Sequence, residues 1–420
     1  MLKKHQKLNS KYSMTKSEIQ EEAVASLIEN KRLIVEFSTG VGKSKVAIDF
    51  LKKHKDFKVL LVVAEILHKK NWEDEFKKWG AARIFKGITV ECYASLHKYK
   101  DTQWDFLIFD EGHHIGTDLK MDILSTIKAE YVICLSATFP KRSLLYPLEK
   151  IFGKFAIKSI NIQKAIDNNL LPEPTIYIIP LTLNTRNMSE SFVEEWGVDG
   201  LRIEVEADYQ SRWVYKRNKI KYPNIKMTVK CTQYQKYLYL CEQYNYWKKI
   251  SAMKNSTFAK NKQMRFGSDR KEFLGTIKTP YVWALMNKLE KEGKRYMCFC
   301  TNIEQCDTLG GEYAIHSKKK DSQQVVDNFN SLTTNKLFAV FKGVEGMNFN
   351  QIDAGILVQL DGSKLKTTQK SGRFYRAENP EIYIFYFKNT RDQEFLEMAL
   401  EGMDKQYIKQ LNYDELVAKD

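Results

Sequence analysis

Short apolar runs separated by stretches of helical spacing constrain this chain more than any other feature. Residues 32–140 hold Leu33-Ile34-Val35-Glu36-Phe37, Val59-Leu60-Leu61-Val62-Val63, Phe106-Leu107-Ile108-Phe109 and Tyr131-Val132-Ile133-Cys134-Leu135. Such runs lack the polar alternation of a sheet wetted on one side, so they read as strands buried on both faces of a parallel sheet. Between them, Val46, Ala47, Phe50 and Leu51 form one helical stripe, and Trp72, Phe76 and Trp79 another, closed by Gly80. This is a doubly wound α/β pattern. It returns after residue 280 in Tyr296-Met297-Cys298-Phe299, Leu337-Phe338-Ala339-Val340, Gly355-Ile356-Leu357-Val358 and Ile382-Tyr383-Ile384-Phe385, with helical spacing over 281–292, 321–330 and 391–402. A second α/β lobe is expected there.

The stretch between the lobes is different. Leu171-Pro172-Glu173-Pro174 suits a crossing point. Residues 209–226 then carry Arg212, Lys216, Arg217, Lys219, Lys221 and Lys226 without an acidic residue, interleaved with Tyr209, Trp213, Tyr215 and Tyr222. A Tyr-rich helical pattern near 233–247 and a basic run from Lys248 to Lys271 follow. The whole chain has 67 Lys and Arg against 52 Asp and Glu, a formal charge of +15 that favours a polyanionic partner.

Seven cysteines (92, 134, 231, 241, 298, 300, 306) have no zinc-ligand spacing and read as buried reduced thiols, with Cys298 and Cys300 facing one side of one strand. That implies a reducing compartment, expected to be the cytoplasm (host cytoplasm for a viral source). Met1 to Lys16 has no apolar signal core, and no run approaches the roughly 20 apolar residues that span a bilayer, so no membrane association is expected.

Ser38-Thr39-Gly40-Val41-Gly42-Lys43-Ser44 follows the first strand and opens a helix. In that context backbone N–H groups converge on phosphate at a helix N-terminus, and glycines let the backbone close on it. Thr39, Gly40, Val41 and Gly42 would line an ATP polyphosphate. Lys43 would reach its β- and γ-phosphates, and Ser44 would hold Mg2+. Phe37 stands where the strict motif has its first glycine. Asp110-Glu111-Gly112-His113 sits directly after the third run, at the strand edge where open α/β sheets bind ligands. Asp110 would hold the metal, and Glu111 would position and deprotonate the attacking water. For His113 a metal role is weaker than coupling to ATP, since no third ligand is placed.

Asp110-Glu111-Gly112-His113 resembles the Asp-Glu-Ala-His box of superfamily 2 helicases, with Gly112 for the usual alanine. Ser136-Ala137-Thr138 resembles their third motif, and Gln369-Lys370-Ser371-Gly372-Arg373-Phe374-Tyr375-Arg376 their sixth, which usually begins Gln-Arg. The pattern is closest to type III restriction-like and phage branch-migration helicases and covers the chain outside residues 180–275. The resemblance implies that Gln20 reads adenine, that Gln369 lies at the nucleotide, and that His113, Ser136, Thr138, Glu345 and Gly346 couple the sites. It also implies strand contacts at Tyr93, Ser95, Thr301, Asn302, His316 and Ser317. Asn348 stands where many members have Asp.

The implied fold is two RecA-like lobes, each a mostly parallel sheet with helices on both faces, plus a basic, aromatic-rich insert. The expected division is residues 1–170, 171–275 and 276–420. Phosphoryl transfer needs positive charge on the γ-phosphate. Arg373 and Arg376, three apart on an expected helix, would supply it from the second lobe. In the insert, Trp213 and Tyr215 would stack on bases while Arg212, Lys216, Arg217 and Lys219 hold phosphates. An equally weighted reading makes the same stretch a solvated basic face over a small aromatic core.

The expected activity is ATP-dependent movement on nucleic acid, DNA favoured over RNA, by a monomer. A double-strand translocase, an RNA helicase, a nucleotide-gated clamp and the motor subunit of a restriction system are alternatives. No nuclease motif is read, so a nuclease would be a separate chain.

Overall fold

The computed structural model describes residues 14–116, 118–197, 201–340, 347, 349, 351–362, 370–375 and 377–417. Its first sheet has β1 (Arg32–Phe37), β2 (Val59–Val63), β3 (Thr89–Cys92), β4 (Gln103–Asp110), β5 (Lys128–Ser136) and β6 (Ala156–Ile160). All pairings are parallel, in the order β3-β2-β4-β5-β1-β6. Apolar side chains cover both faces, which is why β2 is buried throughout. The short edge strands β3 and β6 escape the sequence reading because they are only partly buried and carry polar residues.

The second sheet contains β7 (Thr175–Leu181), β11 (Tyr296–Cys300), β12 (Ala314–Ile315), β13 (Lys336–Val340), β14 (Ala354–Leu357), β15 (Glu381–Phe387) and β16 (Ile408–Gln410). It is parallel throughout, in the order β12-β13-β11-β14-β15-β7-β16. The chain is thus α/β with two RecA-like lobes. One boundary needs correction: Thr175–Leu181, expected in the crossover, pairs along its whole length with β15. Alternating Ile and Pro180 hide that pairing in the sequence, because the partner lies some 200 residues away.

Between the lobes, β8 (Glu190–Trp196), β9 (Ile203–Asp208) and β10 (Ile225–Cys231) form a small mixed sheet, with β10 central. Helix Arg212–Arg217 bridges β9 and β10. Helices Gln233–Lys254 and Thr257–Thr276 then pack on each other as a hairpin. The first opens on a Thr232/Gln235 capping box. No helix among the described residues is long and apolar enough to cross a membrane. The seven cysteines are free thiols, Cys298 and Cys300 lying 4.0 Å apart.

Candidate nucleotide and nucleic-acid sites

The carboxyl ends of β1, β4 and β5 meet at one edge of the first sheet. Register sets Glu36 opposite Ser136 and Asp110 opposite Leu135, so the loop after β1 and the acidic pair after β4 flank the end of β5. The loop needs its glycines. Gly40 and Gly42 have φ of +94° and +93°, and a Cβ on Gly42 would sit 2.3 Å from Gln20 Nε2. Helix Lys43–Lys53 begins directly after Gly42. Lys43 Nζ donates to the Phe37 carbonyl at 3.2 Å, and buried Gln20 donates to the Val41 carbonyl at 2.8 Å.

Asp110 accepts from the Glu111 amide at 3.1 Å and from Trp72 Nε1 at 2.8 Å, and His68 Nδ1 lies 3.8 Å away. Burial pushes its carboxyl above the ordinary carboxylate range, helped by Glu111 and opposed by His68, Trp72 and Lys43. Glu111 has a left-handed backbone, φ 47°, which aims it off the strand end. His113 Nδ1 lies 3.2 Å from Ser136 Oγ, which donates to the Thr138 carbonyl at 2.6 Å. These three residues therefore tie the acidic turn to the end of β5.

A cleft of about 1160 Å³ takes in Gln20, Thr39, Gly40, Val41, Gly42, Lys43, Ser44, Asp110 and Glu111 from the first lobe and Met347, Arg373 and Tyr375 from the second. Arg373 is buried and donates to the Met347 carbonyl. Gln369, Arg376, Glu345, Gly346 and Asn348 lie outside the described residues. The glycine-lined loop, a lysine, a hydroxyl and two carboxylates around one cleft fit a metal–nucleotide. Ser44 and Asp110 would hold the metal. Sequence reading missed four side chains here. Helical spacing marks Trp72 and Trp79 as packing alone, yet their indole N–H groups face carboxylates, and His68, Glu75 and both indoles line the same cleft.

The expected strand contacts fare differently. Tyr93 is a correction: its ring is buried and its hydroxyl donates to the Asp110 carbonyl at 2.9 Å, so it braces the acidic turn instead of meeting a strand. Asn302 caps the helix Ile303–Gly310 and donates to Glu272, and Thr301 packs against Gly275. His316 is buried against Asp307 at 2.9 Å. Ser317 is exposed and Ser95 half-buried.

In the insert Arg212 is a second correction. It is 0% exposed, pairs with Glu242 at 2.9 Å and lies 3.8 Å from the Tyr209 ring centroid, with Trp213, Phe192 and Tyr239 around it. It centres a small core. Lys216 is paired with Glu194, Lys226 with Glu204 and Lys230 with Glu206. The acids come from β8 and β9, outside the basic stretch itself. Trp213 is 40% exposed, and Arg217 is exposed with no carboxylate partner among the described residues.

Fold and cleft together define a two-lobed α/β protein with a glycine-turned loop and an acidic turn at one edge of its first sheet. Residues 13–93 match the family model of the type III restriction enzyme, res subunit. The DNA 3'-5' translocase XPB2 of Sulfurisphaera tokodaii is 29% identical over 166 residues, which cover 33% of this chain and 37% of that protein. The structure of the ATP-dependent Type ISP restriction-modification enzyme LlaBIII bound to DNA matches in fold over 96% of this chain and 31% of that one, with TM-score 0.53 and 12% identity. The chain thus spans about a third of each relative's length. Over these stretches the chain is similar to a restriction res subunit and a DNA translocase, which supports its resemblance to superfamily 2 helicases with a restriction-like pattern.

Proposed function

We propose that this chain is an ATP-dependent helicase or translocase that acts on DNA, with magnesium as the metal of its nucleotide. The observation that carries the reading is the cleft shared by Lys43, Ser44, Asp110 and Glu111 on one lobe and Arg373 on the other. Bound magnesium would neutralise charge between the β- and γ-phosphates. Lys43 would donate to the phosphate oxygens, and Glu111 would take the proton of the attacking water. Arg373, with Arg376, would meet the charge that develops in the transition state, worth on the order of 10³-fold in rate. Gln20 would read the adenine edge.

Because the cationic groups sit on different lobes, nucleotide binding would draw the lobes together, and loss of the γ-phosphate would release them. Two strand-holding surfaces that approach and separate give stepping, and backbone contacts suffice for it. In this reading β7 joins residues 277–417 as the second lobe, and 182–276 form the insert.

The test is steady-state ATP hydrolysis with single-stranded, duplex and branched DNA and with RNA, for the natural chain and Glu111→Gln. Stimulation by DNA, lost in the variant with nucleotide binding intact, is the expected result. Stimulation by RNA alone would replace the substrate. Tight nucleotide-dependent DNA binding with no turnover would make the chain a clamp.

A further inference from the structure

We infer that Glu75 and Trp72, both on the helix Ile66–Lys78, are positioning residues for the two metal-holding side chains of the cleft. The inference rests on the reading of that cleft as a metal–nucleotide site, and it concerns residues which that reading leaves without a role.

Ser44 Oγ donates to Glu75 Oε2 at 3.3 Å. The same carboxylate oxygen accepts from Trp79 Nε1 at 3.0 Å, and Oε1 lies 3.4 Å from Lys78 Nζ. Glu75 is therefore held from two further sides and has a fixed place. A serine whose proton is committed to a carboxylate turns its lone pairs the other way, and those are the electrons a divalent cation takes. Trp72 acts on the other ligand. Its indole N–H on Asp110 Oδ2 fixes the carboxylate plane while leaving oxygen lone pairs over. Residues 72, 75 and 79 are spaced so that one helix face presents all three side chains to the cleft.

This is the logic by which outer groups orient inner ligands and set metal affinity. It also has a sign that packing alone does not have. Glu75 adds negative charge beside a site for polyphosphate. Without metal it repels the nucleotide, and with metal it supports the cation.

The experiment measures dissociation constants of a fluorescent ADP analogue for the full chain, with magnesium and with a chelator, for the natural protein, Glu75→Gln and Trp72→Phe. Glu75→Gln keeps side-chain size, Trp72→Phe keeps an aromatic ring without the N–H, and thermal melting checks that both fold. In the natural protein magnesium should tighten binding. In Glu75→Gln that gain should shrink by about tenfold, the scale of one charge-assisted hydrogen bond, with metal-free binding equal or tighter. In Trp72→Phe the gain should shrink less, and the magnesium concentration for half-saturation should rise. A parallel loss of affinity with and without metal, or an unchanged magnesium gain, overturns the positioning role while leaving the nucleotide site standing. A natural chain that binds no nucleotide under either condition overturns both.

Discussion

In the interlobe cleft, cations and carboxylates from separate elements face a common space; in the insert, several of the cations already have an acid beside them. Both regions are rich in charge. Lys43 opens a helix, Asp110 ends β4 and Glu111 follows it, and the sheet brings all three to one edge and into one cleft. Lys216, Lys226 and Lys230 lie on or beside a small sheet whose neighbouring strands supply Glu194, Glu204 and Glu206. The lesson is that a run of like charge becomes a binding surface only when its fold brings no counter-charge to it. What survives in the insert as a candidate surface is narrower: Arg217, Lys219 and Lys221, and the lysines on the exposed faces of the helical hairpin.

The contrast can be broken most decisively at Lys43. Lys43→Ala should lower ATP hydrolysis by about a thousandfold, the scale of losing one cation on a transferring phosphoryl group, with circular dichroism unchanged. Natural turnover in that variant would remove the cleft from consideration.

Arg212 sharpens it from the other side. Arg212→Ala leaves a hole among Tyr209, Phe192 and Tyr239 and removes the contact with Glu242, so it should cost about 3 kcal/mol of stability in thermal or denaturant unfolding. If the variant melts normally but loses DNA affinity, Arg212 is a contact after all.

Asp361 ties the two regions together. It lies 2.7 Å from Lys271, at the end of the hairpin, and 2.7 Å from Lys370, beside the arginine of the cleft. Burial alone would raise its carboxyl, but Lys370 and Lys271 outweigh it and hold the carboxyl at about 2. A folded value below the unfolded one means that the stabilisation is fully present above about pH 4 and is lost as pH falls towards 2. Its size is about 2 kcal/mol. Asp361→Asn should be less stable at neutral pH and should flatten the acid limb of the unfolding profile. An unchanged limb would mean that the pair contributes nothing.

The smallest effect is expected at the insert surface. Replacing Arg217, Lys219 and Lys221 together by Gln should weaken duplex DNA binding by about tenfold and lower the slope of log affinity against log salt by up to about 3, without changing ATP hydrolysis in the absence of DNA. An unchanged slope would make the insert a structural element alone.

Much of the cleft was legible because its signals are local. A strand, a glycine turn and a helix start are neighbours in the chain, and so are β4 and the carboxylates at its end; backbone geometry carries them to the same sheet edge. The insert was not, because pairing between side chains is long-range. Nothing in 209–226 announces that Arg212 turns inward to Glu242, or that β8 and β9 supply the missing acids. Glu75 was hidden for a related reason: Trp72, Phe76 and Trp79 mark a packing stripe, and periodicity cannot tell a buried indole from one whose N–H holds a carboxylate. Tyr93 likewise reads as a strand contact from its motif, while burial commits it to the Asp110 carbonyl.

The sequence by itself determined the two α/β lobes, the glycine-turned loop after the first strand and the acidic turn after the fourth, since hydrophobic period and chain-neighbour geometry suffice for these. Tertiary structure alone decided that Thr175–Leu181 lies in the second sheet, that Trp72 and Glu75 face the cleft, and which basic residues of the insert are paired. Those are contacts between residues tens to hundreds of positions apart, fixed by packing and by the pairing of buried or nearby charge.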